Sequence, residues 1–347
     1  MPPTVRIGTR ASALALAQTG HVADALTHTG GLDVELVRVR TDGDRLTGSL
    51  ATLGGTGVFV TALRDALADR RCDVAVHSLK DLPTGSDPRF DLGAVPLRED
   101  PRDALCARDG WTLATLPVGA RVGTGSPRRA AQLLAARPDL EVVDLRGNVD
   151  TRLRRVAAGD LDAVVLARAG LTRLGRLDAV TDTLDPSIMT PAAGQGALAI
   201  EIRAAAPGAA AAPGSGTAPD ENAAADVALR RAVAAIDDPD SRIAVLAERA
   251  LLARLEAGCA APVGALARVD RTASVNTPDA SPGDEVLTLD AVVIRTDGGA
   301  ELRLTATCPL PLDPPRDREL AAVALGTRLA DELLAAGAAD LADLGPR

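Results

Sequence analysis

Strand–turn–helix segments recur over the first two thirds of this 347-residue chain, and they constrain its fold more than any other feature. Short apolar runs, each bounded by Gly, Ser, Thr or Arg, precede stretches with helical periodicity. Buried strands are predicted over 5–9, 74–76, 121–124, 141–145 and 162–167. Helices are predicted over 13–26 and 149–158, with Ser12 and the Ser126–Pro127 pair as typical helix starts. Alternating strands and helices predict an α/β fold with mainly parallel sheets.

Two crossings rich in Pro or Gly divide the chain, at 96–103 and 191–197. They predict that the chain builds domain 1 from 1–97, builds domain 2 from 98–195, and returns to domain 1 over 196–204. The Ala/Pro/Gly-rich stretch 205–224 is predicted to be a flexible insertion. Grouped helices and strands over 225–347 predict a third, α+β domain. Its helices are expected over 225–236, 240–256 and 317–336, and its strands over 263–269, 286–295 and 301–307.

Composition argues against several classes of protein. Aromatic residues make up only 1% and the net charge is −9, which disfavours base stacking and sequence-independent phosphate binding, so no nucleic-acid partner is expected. The chain lacks a signal-peptide pattern and an apolar run of roughly 20 residues, so a cytoplasmic location without a membrane partner is expected. The cysteines show neither zinc nor disulfide spacing, and no metal is expected. They are Cys72, Cys106, Cys259 and Cys308.

Positive side chains gather at the predicted strand ends. Lys80 is the one lysine among 38 basic residues, and it stands between a buried strand and Asp81. It either marks a site that needs a compact charge or is an accident of composition. Five arginines lie in or just before first helical turns, where the helix dipole disfavours them by up to about 1 kcal/mol unless an anion binds there. They are Arg10, Arg128, Arg129, Arg146 and Arg152. Their separate turns suit a ligand with several carboxylates, whereas a solvated surface is the alternative.

Three further residues have open roles when judged from the sequence alone. Asp81 is either a structural ion-pair partner or a general acid/base. His77 is expected to pack and hydrogen-bond rather than act as a base. Cys259 follows Gly258, which we predict to be the C′ residue of a helix. A helix C-terminus would raise the pKa of a thiol, so these residues alone disfavour a functional Cys259.

Eight motifs together resemble the porphobilinogen deaminase (hydroxymethylbilane synthase) family. Their order and spacing agree with that family over nearly the whole chain. The matching runs span residues 6–15, 76–83, 98–104, 123–129, 145–153, 166–175, 191–197 and 254–264. The resemblance implies two periplasmic-binding-protein-like α/β lobes with a hinged cleft, plus a small C-terminal α+β domain. It departs at Thr52 and Thr56, where many members have Lys, although Phe59 is retained.

The resemblance also implies a reaction and its residues. Four porphobilinogen molecules would be joined head to tail, with loss of ammonia, on a dipyrromethane cofactor held by Cys259 through a thioether. Water would then release the tetrapyrrole hydroxymethylbilane, which passes to uroporphyrinogen-III synthase. Asp81 is the implied catalytic residue of this monomeric transferase. The implied cofactor-binding residues are Lys80, Asp81, Ser126, Arg128, Arg129 and Arg146. The implied substrate-binding residues are Arg10, Ser12, Arg146, Arg152, Arg173 and Gln195. A two-lobe anion-binding module without catalysis is the alternative, and an inactive relative is a weaker one.

Overall fold

The computed structural model describes residues 4–39, 57–205, 221–258, 261–271, 285–311 and 313–344, without the side chains of 57–59 and 221–223. These residues form two compact units. The first unit joins Met1–Arg98 to Leu198–Pro239, and the second joins Glu99–Ala197 to Asp240–Arg347. No described helix combines the length and apolar composition needed to span a bilayer.

The first unit contains a five-stranded sheet in the order β2-β1-β3-β10-β4. Its elements are β1 (Thr4–Thr9), α1 (Ala13–Gly30), β2 (Asp33–Arg38), α2 (Gly57–Ala68), β3 (Val74–Ser78), β4 (Phe90–Ala94), β10 (Leu198–Arg203) and α6 (Glu221–Ala234). Strands β1, β2 and β3 are parallel, whereas β10 runs antiparallel to both β3 and β4. Because successive side chains of a strand point to opposite faces, Val74 and Val76 pack with α1 and α6, while Ala75 packs with α2.

The second unit contains a five-stranded sheet of related topology, in the order β7-β6-β8-β5-β9. Its elements are β5 (Asp103–Ala107), β6 (Arg121–Thr124), α3 (Pro127–Ala136), β7 (Glu141–Asp144), α4 (Val149–Ala157), β8 (Ala163–Ala167), α5 (Arg168–Arg173) and β9 (Asp182–Thr183). Here β6, β7 and β8 are parallel, and β5 is antiparallel to β8 and β9. In each sheet the fourth strand in spatial order is the antiparallel one.

A three-stranded antiparallel sheet in the order β11-β12-β13 completes the second unit. Its elements are α7 (Pro239–Arg254), β11 (Val263–Asp270), β12 (Glu285–Ile294), β13 (Glu301–Leu310), α8 (Pro315–Ala335) and α9 (Ala338–Leu341). Leu251, Leu289 and Leu329 belong to its apolar core. Gly326 lets α8 approach the backbone of α7, because a Cβ atom there would collide with the carbonyl oxygen of Ala247.

The predicted strands and helices are present, and two details differ. Gly258 does not end the preceding helix as predicted. Helix α7 ends at Arg254, and Glu256 takes the left-handed conformation with φ 53°. The amide of Ala257 then donates to the carbonyl of Leu252 at 3.0 Å, which closes the helix end two residues before Gly258.

The second difference concerns α6. This helix begins at Glu221, within the last residues of the segment predicted to be flexible, and it packs on α1 and β4 of the first unit. The predicted three-domain boundaries stay a prediction. Residues 206–220 of the predicted insertion lie outside the described residues, as do Thr52 and Thr56 and the side chain of Phe59.

Candidate active site

Parallel pairing brings the predicted site residues of the first unit to one edge of its sheet. Strands β1 and β3 are neighbours, with Gly8 opposite Ala75, so their carboxyl ends lie at the same edge. Arg10 and Ser12 follow β1, and the amide of Ala15 donates to Ser12 Oγ at 3.2 Å, which confirms the predicted helix cap. Lys80 and Asp81 follow β3 in a short 3₁₀ turn. This edge therefore carries two cations and the candidate catalytic carboxylate.

Side-chain hydrogen bonds join α1 to the strand that precedes Lys80. Gln18 Nε2 donates to Ser78 Oγ at 2.9 Å, and Ser78 Oγ lies 3.2 Å from Gln18 Oε1. Leu79, the first residue of the 3₁₀ turn, is fully buried. These contacts fix the Lys80–Asp81 turn to the helix that begins beside Arg10.

A buried ion cluster lies behind that turn. His77 is packed as expected, 5% exposed, and its Nε2 lies 3.1 Å from Glu201 Oε2, which is an ion-pair distance without hydrogen-bond geometry. Arg64 reaches the same carboxylate through Nε at 3.0 Å and Nη2 at 2.7 Å. Burial by itself would raise the pKa of Glu201, but its close pairing with His77 and Arg64 outweighs burial and lowers that pKa to about 2. The strand that leads to Asp81 is therefore held by an ionised carboxylate on β10.

The second unit places its predicted anion-binding residues at the carboxyl ends of β6, β7 and β8, which form the same kind of edge. Ser126 caps α3 by accepting from the amide of Arg129 at 3.4 Å. Asn148 caps α4 by accepting from the amide of Thr151 at 2.8 Å. The residues at this edge that the sequence predicted are Ser126, Arg128, Arg129, Arg146, Arg152 and Arg173.

Like charges converge among these arginines. Burial lowers the pKa of Arg152, and repulsion from Arg129 and Arg146 lowers it further. Burial also lowers the pKa of Arg173, whose Nη2 donates to the carbonyl of Gly196 at 2.6 Å. Cations that repel one another in a partly dry site are stabilised by a bound anion. The arrangement therefore fits a ligand that carries several carboxylates.

Asp103, at the centre of this set, was not among the residues predicted from the sequence. Asp103 begins β5, is fully buried, and accepts from two arginines and an amide. Its Oδ1 accepts from Arg129 Nε at 3.0 Å, from Arg129 Nη2 at 2.7 Å and from Gln195 Nε2 at 2.8 Å. Its Oδ2 accepts from Arg128 Nη2 at 2.8 Å. Burial would raise the pKa of Asp103, but the two guanidinium groups hold it well below its usual range.

Three residues predicted to bind ligand are buried and already hydrogen-bonded to other parts of the protein. The exposed fractions of Arg128, Arg129 and Gln195 are 3%, 6% and 0%. Arg128 Nη1 donates to the carbonyl of Thr190, and Arg129 Nη1 donates to that of Val165 at 3.2 Å. Within the described residues, Arg128 Nε is buried and has no hydrogen-bond partner. An acidic residue at the first position of a buried strand, in a chain so rich in arginine, is the sequence signal that could have found Asp103.

The candidate cofactor cysteine, Cys259, lies outside the described residues. Two other cysteines lie in the apolar cores, and burial raises the pKa of the Cys106 thiol to about 12. Burial also raises the pKa of Cys72. The described cysteines therefore lack the character of reactive thiolates.

Two α/β units, each with cationic residues at the carboxyl edge of its sheet, make an arrangement suited to a ligand with several negative charges. Comparison with known proteins identifies the family. Residues 5–210 match the family described as porphobilinogen deaminase, dipyromethane cofactor binding domain, and residues 242–335 match its C-terminal domain. The chain belongs to the porphobilinogen deaminase family, as the motifs indicated.

Two relatives named porphobilinogen deaminase agree with this assignment. The porphobilinogen deaminase of Leifsonia xyli subsp. xyli is 54% identical over 98% of this chain and 94% of its own length. That of Micrococcus luteus is 51% identical over 96% of this chain and 93% of its own length. A periplasmic substrate-binding protein from Coxiella burnetii is 17% identical over 68% of this chain and 92% of its own, with a TM-score of 0.40.

Proposed function

We propose that this chain joins four porphobilinogen molecules head to tail, with loss of ammonia, on a dipyrromethane held by Cys259, and that water then releases the linear tetrapyrrole hydroxymethylbilane. Membership of the deaminase family supports the reaction. The observation that carries the residue assignments is the convergence of Arg129, Arg146 and Arg152, where burial first and then repulsion from Arg129 and Arg146 lower the pKa of Arg152. A substrate with two carboxylates on each ring supplies the anions that such a cluster binds.

Asp81 is the proposed catalytic residue. Loss of ammonia breaks the carbon–nitrogen bond of the substrate aminomethyl group, the electron pair leaves with nitrogen, and a cation remains on the methylene carbon. A carboxylate close to that carbon stabilises the developing positive charge. When the new carbon–carbon bond forms, a ring carbon must lose a proton, and the same carboxylate accepts it. The short turn that holds Asp81, fixed by buried Leu79, supports a role that needs an immobile side chain.

The arginines have a different task. We propose that Arg10 and Ser12 in the first unit bind substrate carboxylates, as do Arg146, Arg152 and Arg173 in the second. Gln195, which is fully buried, is proposed to support this substrate site from within. Partial burial strengthens each charge-assisted hydrogen bond, because water competes less for the donor. Loading the site with carboxylates would relieve the repulsion that, after burial, lowers the pKa of Arg152.

The dipyrromethane, when bound, supplies a nucleophilic pyrrole ring as the starting point of the chain. Cys259 would hold it, and the proposed contacts to its carboxylates come from Lys80, Ser126, Arg128, Arg129 and Arg146. The described residues fit an anionic group there, because Arg128 Nε is a buried donor without a hydrogen-bond partner in the part of the chain that the structure describes. Asp81 is also proposed to contact this group.

The intact mass of the purified protein tests the proposal. The parent should carry an excess mass equal to two porphobilinogen-derived pyrroles. Cys259→Ser should lack that excess, whereas Cys308→Ser, at a half-buried position away from the motifs, should keep it. A parent that stays unmodified after incubation with porphobilinogen would favour the binding-module alternative. Asp81→Asn should carry the cofactor but lose nearly all turnover, and a parental steady-state rate in that variant would remove the role given to Asp81.

Three finer assignments belong to the same proposal. We expect a cytoplasmic monomer that passes its product to uroporphyrinogen-III synthase. Light scattering coupled to size exclusion should give the mass of one chain, 35.4 kDa. A mass twice that value would contradict the monomer assignment.

A further inference from the structure

We propose that Asp103 is the positioning residue of the anion site in the second unit, holding the guanidinium groups of Arg128 and Arg129 in the orientation that cofactor loading requires. This inference rests on the proposed function, because it assigns a task to a residue beneath the proposed cofactor-binding arginines. Asp103 itself would not touch the ligand.

The hydrogen bonds of Asp103 fix both arginines on one side. Arg129 uses Nε and Nη2 together on Oδ1, a paired geometry that sets the plane of its guanidinium group. Arg128 uses Nη2 on Oδ2 and Nη1 on the carbonyl of Thr190, so both of its terminal nitrogens are engaged. The nitrogen that remains is Nε, which has no hydrogen-bond partner among the described residues. Asp103 thus fixes the orientation in which Arg128 holds its Nε donor and the second N–H of each terminal nitrogen.

Charge gives the second argument. Arg128 and Arg129 are neighbours in sequence, both almost fully buried, and repulsion from Arg129 is one of the causes that lower the pKa of Arg128, after burial itself. Two unpaired guanidinium groups in that position would be strongly unfavourable. One carboxylate between them leaves a local net charge of one positive unit. That arrangement is stable without ligand and still attracts an anion.

Gln195 connects the same carboxylate to the second crossing of the chain. Its Nε2 donates to Asp103 Oδ1 at 2.8 Å and to the carbonyl of Pro101 at 2.7 Å. Its Oε1 lies 3.4 Å from Arg129 Nη2. The segment 191–197 is therefore held to the arginine pair through Asp103. Loss of the carboxylate would loosen the crossing as well as both guanidinium groups.

The test follows cofactor loading by mass. Apo protein is incubated with porphobilinogen, and the rate at which the covalent adduct appears is measured per folded molecule, with folding checked by circular dichroism at the assay temperature. Asp103→Ala should load about 10- to 100-fold more slowly than the parent, the range expected for loss of charge-assisted bonds beneath a binding group. Asp100→Ala should load at the parental rate, because among the described residues Asp100 forms its ion pairs with the more exposed Arg102 and Arg168.

Formate is the decisive addition. It is a carboxylate small enough for the space that Asp103→Ala leaves, so it should restore much of the loading rate, with chloride as the ionic-strength control. Formamide, which has nearly the same shape and no charge, should not. Rescue by formamide as good as that by formate would overturn the proposal in favour of simple packing, and so would parental loading by folded Asp103→Ala.

Misfolding of the variant and failure of the proposed function can each be distinguished from failure of the positioning role. If Asp103→Ala does not fold, the isosteric Asp103→Asn takes its place, and parental loading by that variant overturns the positioning role. If the parent itself gains no mass from porphobilinogen, the proposed function fails, irrespective of Asp103.

Discussion

The carboxylate of Glu201 should make a pH-dependent contribution to the stability of the first unit. Its folded-state pKa of about 2 lies below its ordinary value of 4.5. A group with a lowered pKa stabilises the fold above the unfolded value and loses that contribution as the pH falls. The difference between 4.5 and about 2 corresponds to about 3 kcal/mol at neutral pH. Of this, about 1.4 kcal/mol should be lost by about pH 3.5, because the unfolded chain is then largely protonated at Glu201.

The perturbation is Glu201→Gln. It leaves the guanidinium of Arg64, whose side chain is 12% exposed, without its counter-ion. Breaking a buried pair in this way costs about 3 to 5 kcal/mol, and the lower end applies because glutamine keeps a hydrogen-bond acceptor. We expect a loss of about 3 kcal/mol at pH 7 that shrinks to about 1.5 kcal/mol near pH 3.5.

Urea unfolding followed by two probes makes the measurement. Circular dichroism reports the whole chain, whereas the one tryptophan, Trp111, lies in the second unit. A dichroism transition that Trp111 fluorescence does not follow, and that Glu201→Gln shifts, is assigned to the first unit. Glu141→Gln is the control, because its 3.5 Å pair with Arg121 is exposed and should contribute less than about 1 kcal/mol. A difference in unfolding free energy between parent and Glu201→Gln that stays constant from pH 7 to pH 3.5 would show that the pKa of Glu201 is not lowered in the folded protein.

Three other predictions concern stability and thiol chemistry. Gly20→Ala should stabilise the protein by about 0.8 kcal/mol in thermal unfolding, because Gly20 lies inside α1 with open space at its Cβ position. Gly326→Ala should destabilise it, since the new Cβ would meet the backbone of α7. Equal shifts of the same sign in both variants would contradict this. Asn148→Ala should lower the free energy of unfolding by about 1 kcal/mol in the same assay, because it removes the 2.8 Å cap of α4. Asn148→Asp should keep most of that stability. An Asp variant as unstable as the Ala variant would contradict the capping role. Cys72 and Cys106, both buried, should resist a thiol reagent in the native protein and react only on unfolding, which peptide mapping would detect; rapid native labelling of either would show that its core opens.

Local chemistry explains what the sequence could predict. Ser12 and Ser126 are caps because their oxygens accept from amides three residues onward, so the helix starts are visible in a short window of sequence. The edges of the sheets followed from the alternation of strands and helices, since parallel strands share their carboxyl ends. The family resemblance then supplied roles for residues whose chemistry alone left the choice open.

The partners of buried charges could not be predicted in the same way. Glu201 is 137 residues from Arg64, and Asp103 is 25 residues from Arg128, so neither pair leaves a local pattern. The end of α7 was misplaced for a related reason. Glu256 rather than Gly258 takes the left-handed conformation, between Leu255 and Ala257, both of which are buried. Tertiary packing overrode the local preference for glycine.

Both five-stranded sheets hold cationic side chains with a buried carboxylate, but the carboxylate lies at a different position along the strand in each. Each carries one buried carboxylate on its antiparallel fourth strand, Glu201 on β10 and Asp103 on β5, and each carboxylate is shared by two side chains that can be cationic. Glu201 pairs across the sheet with Ala75, well inside β3. Asp103 pairs with Ala167, the last residue of β8, at the edge where the arginines lie.

Because Glu201 lies inside its sheet and Asp103 lies at the ligand edge of the other, we predict that the two carboxylates have different roles. Cations held by Glu201 are enclosed by the sheet and its helices, so loss of that carboxylate should act through the stability of the fold. Cations held by Asp103 stand at the ligand edge, so loss of that carboxylate should slow cofactor loading even in molecules that remain folded. If folded Glu201→Gln protein loaded cofactor as slowly as folded Asp103→Asn, the register argument would fail, because depth within the sheet would then not separate support of the fold from support of the site.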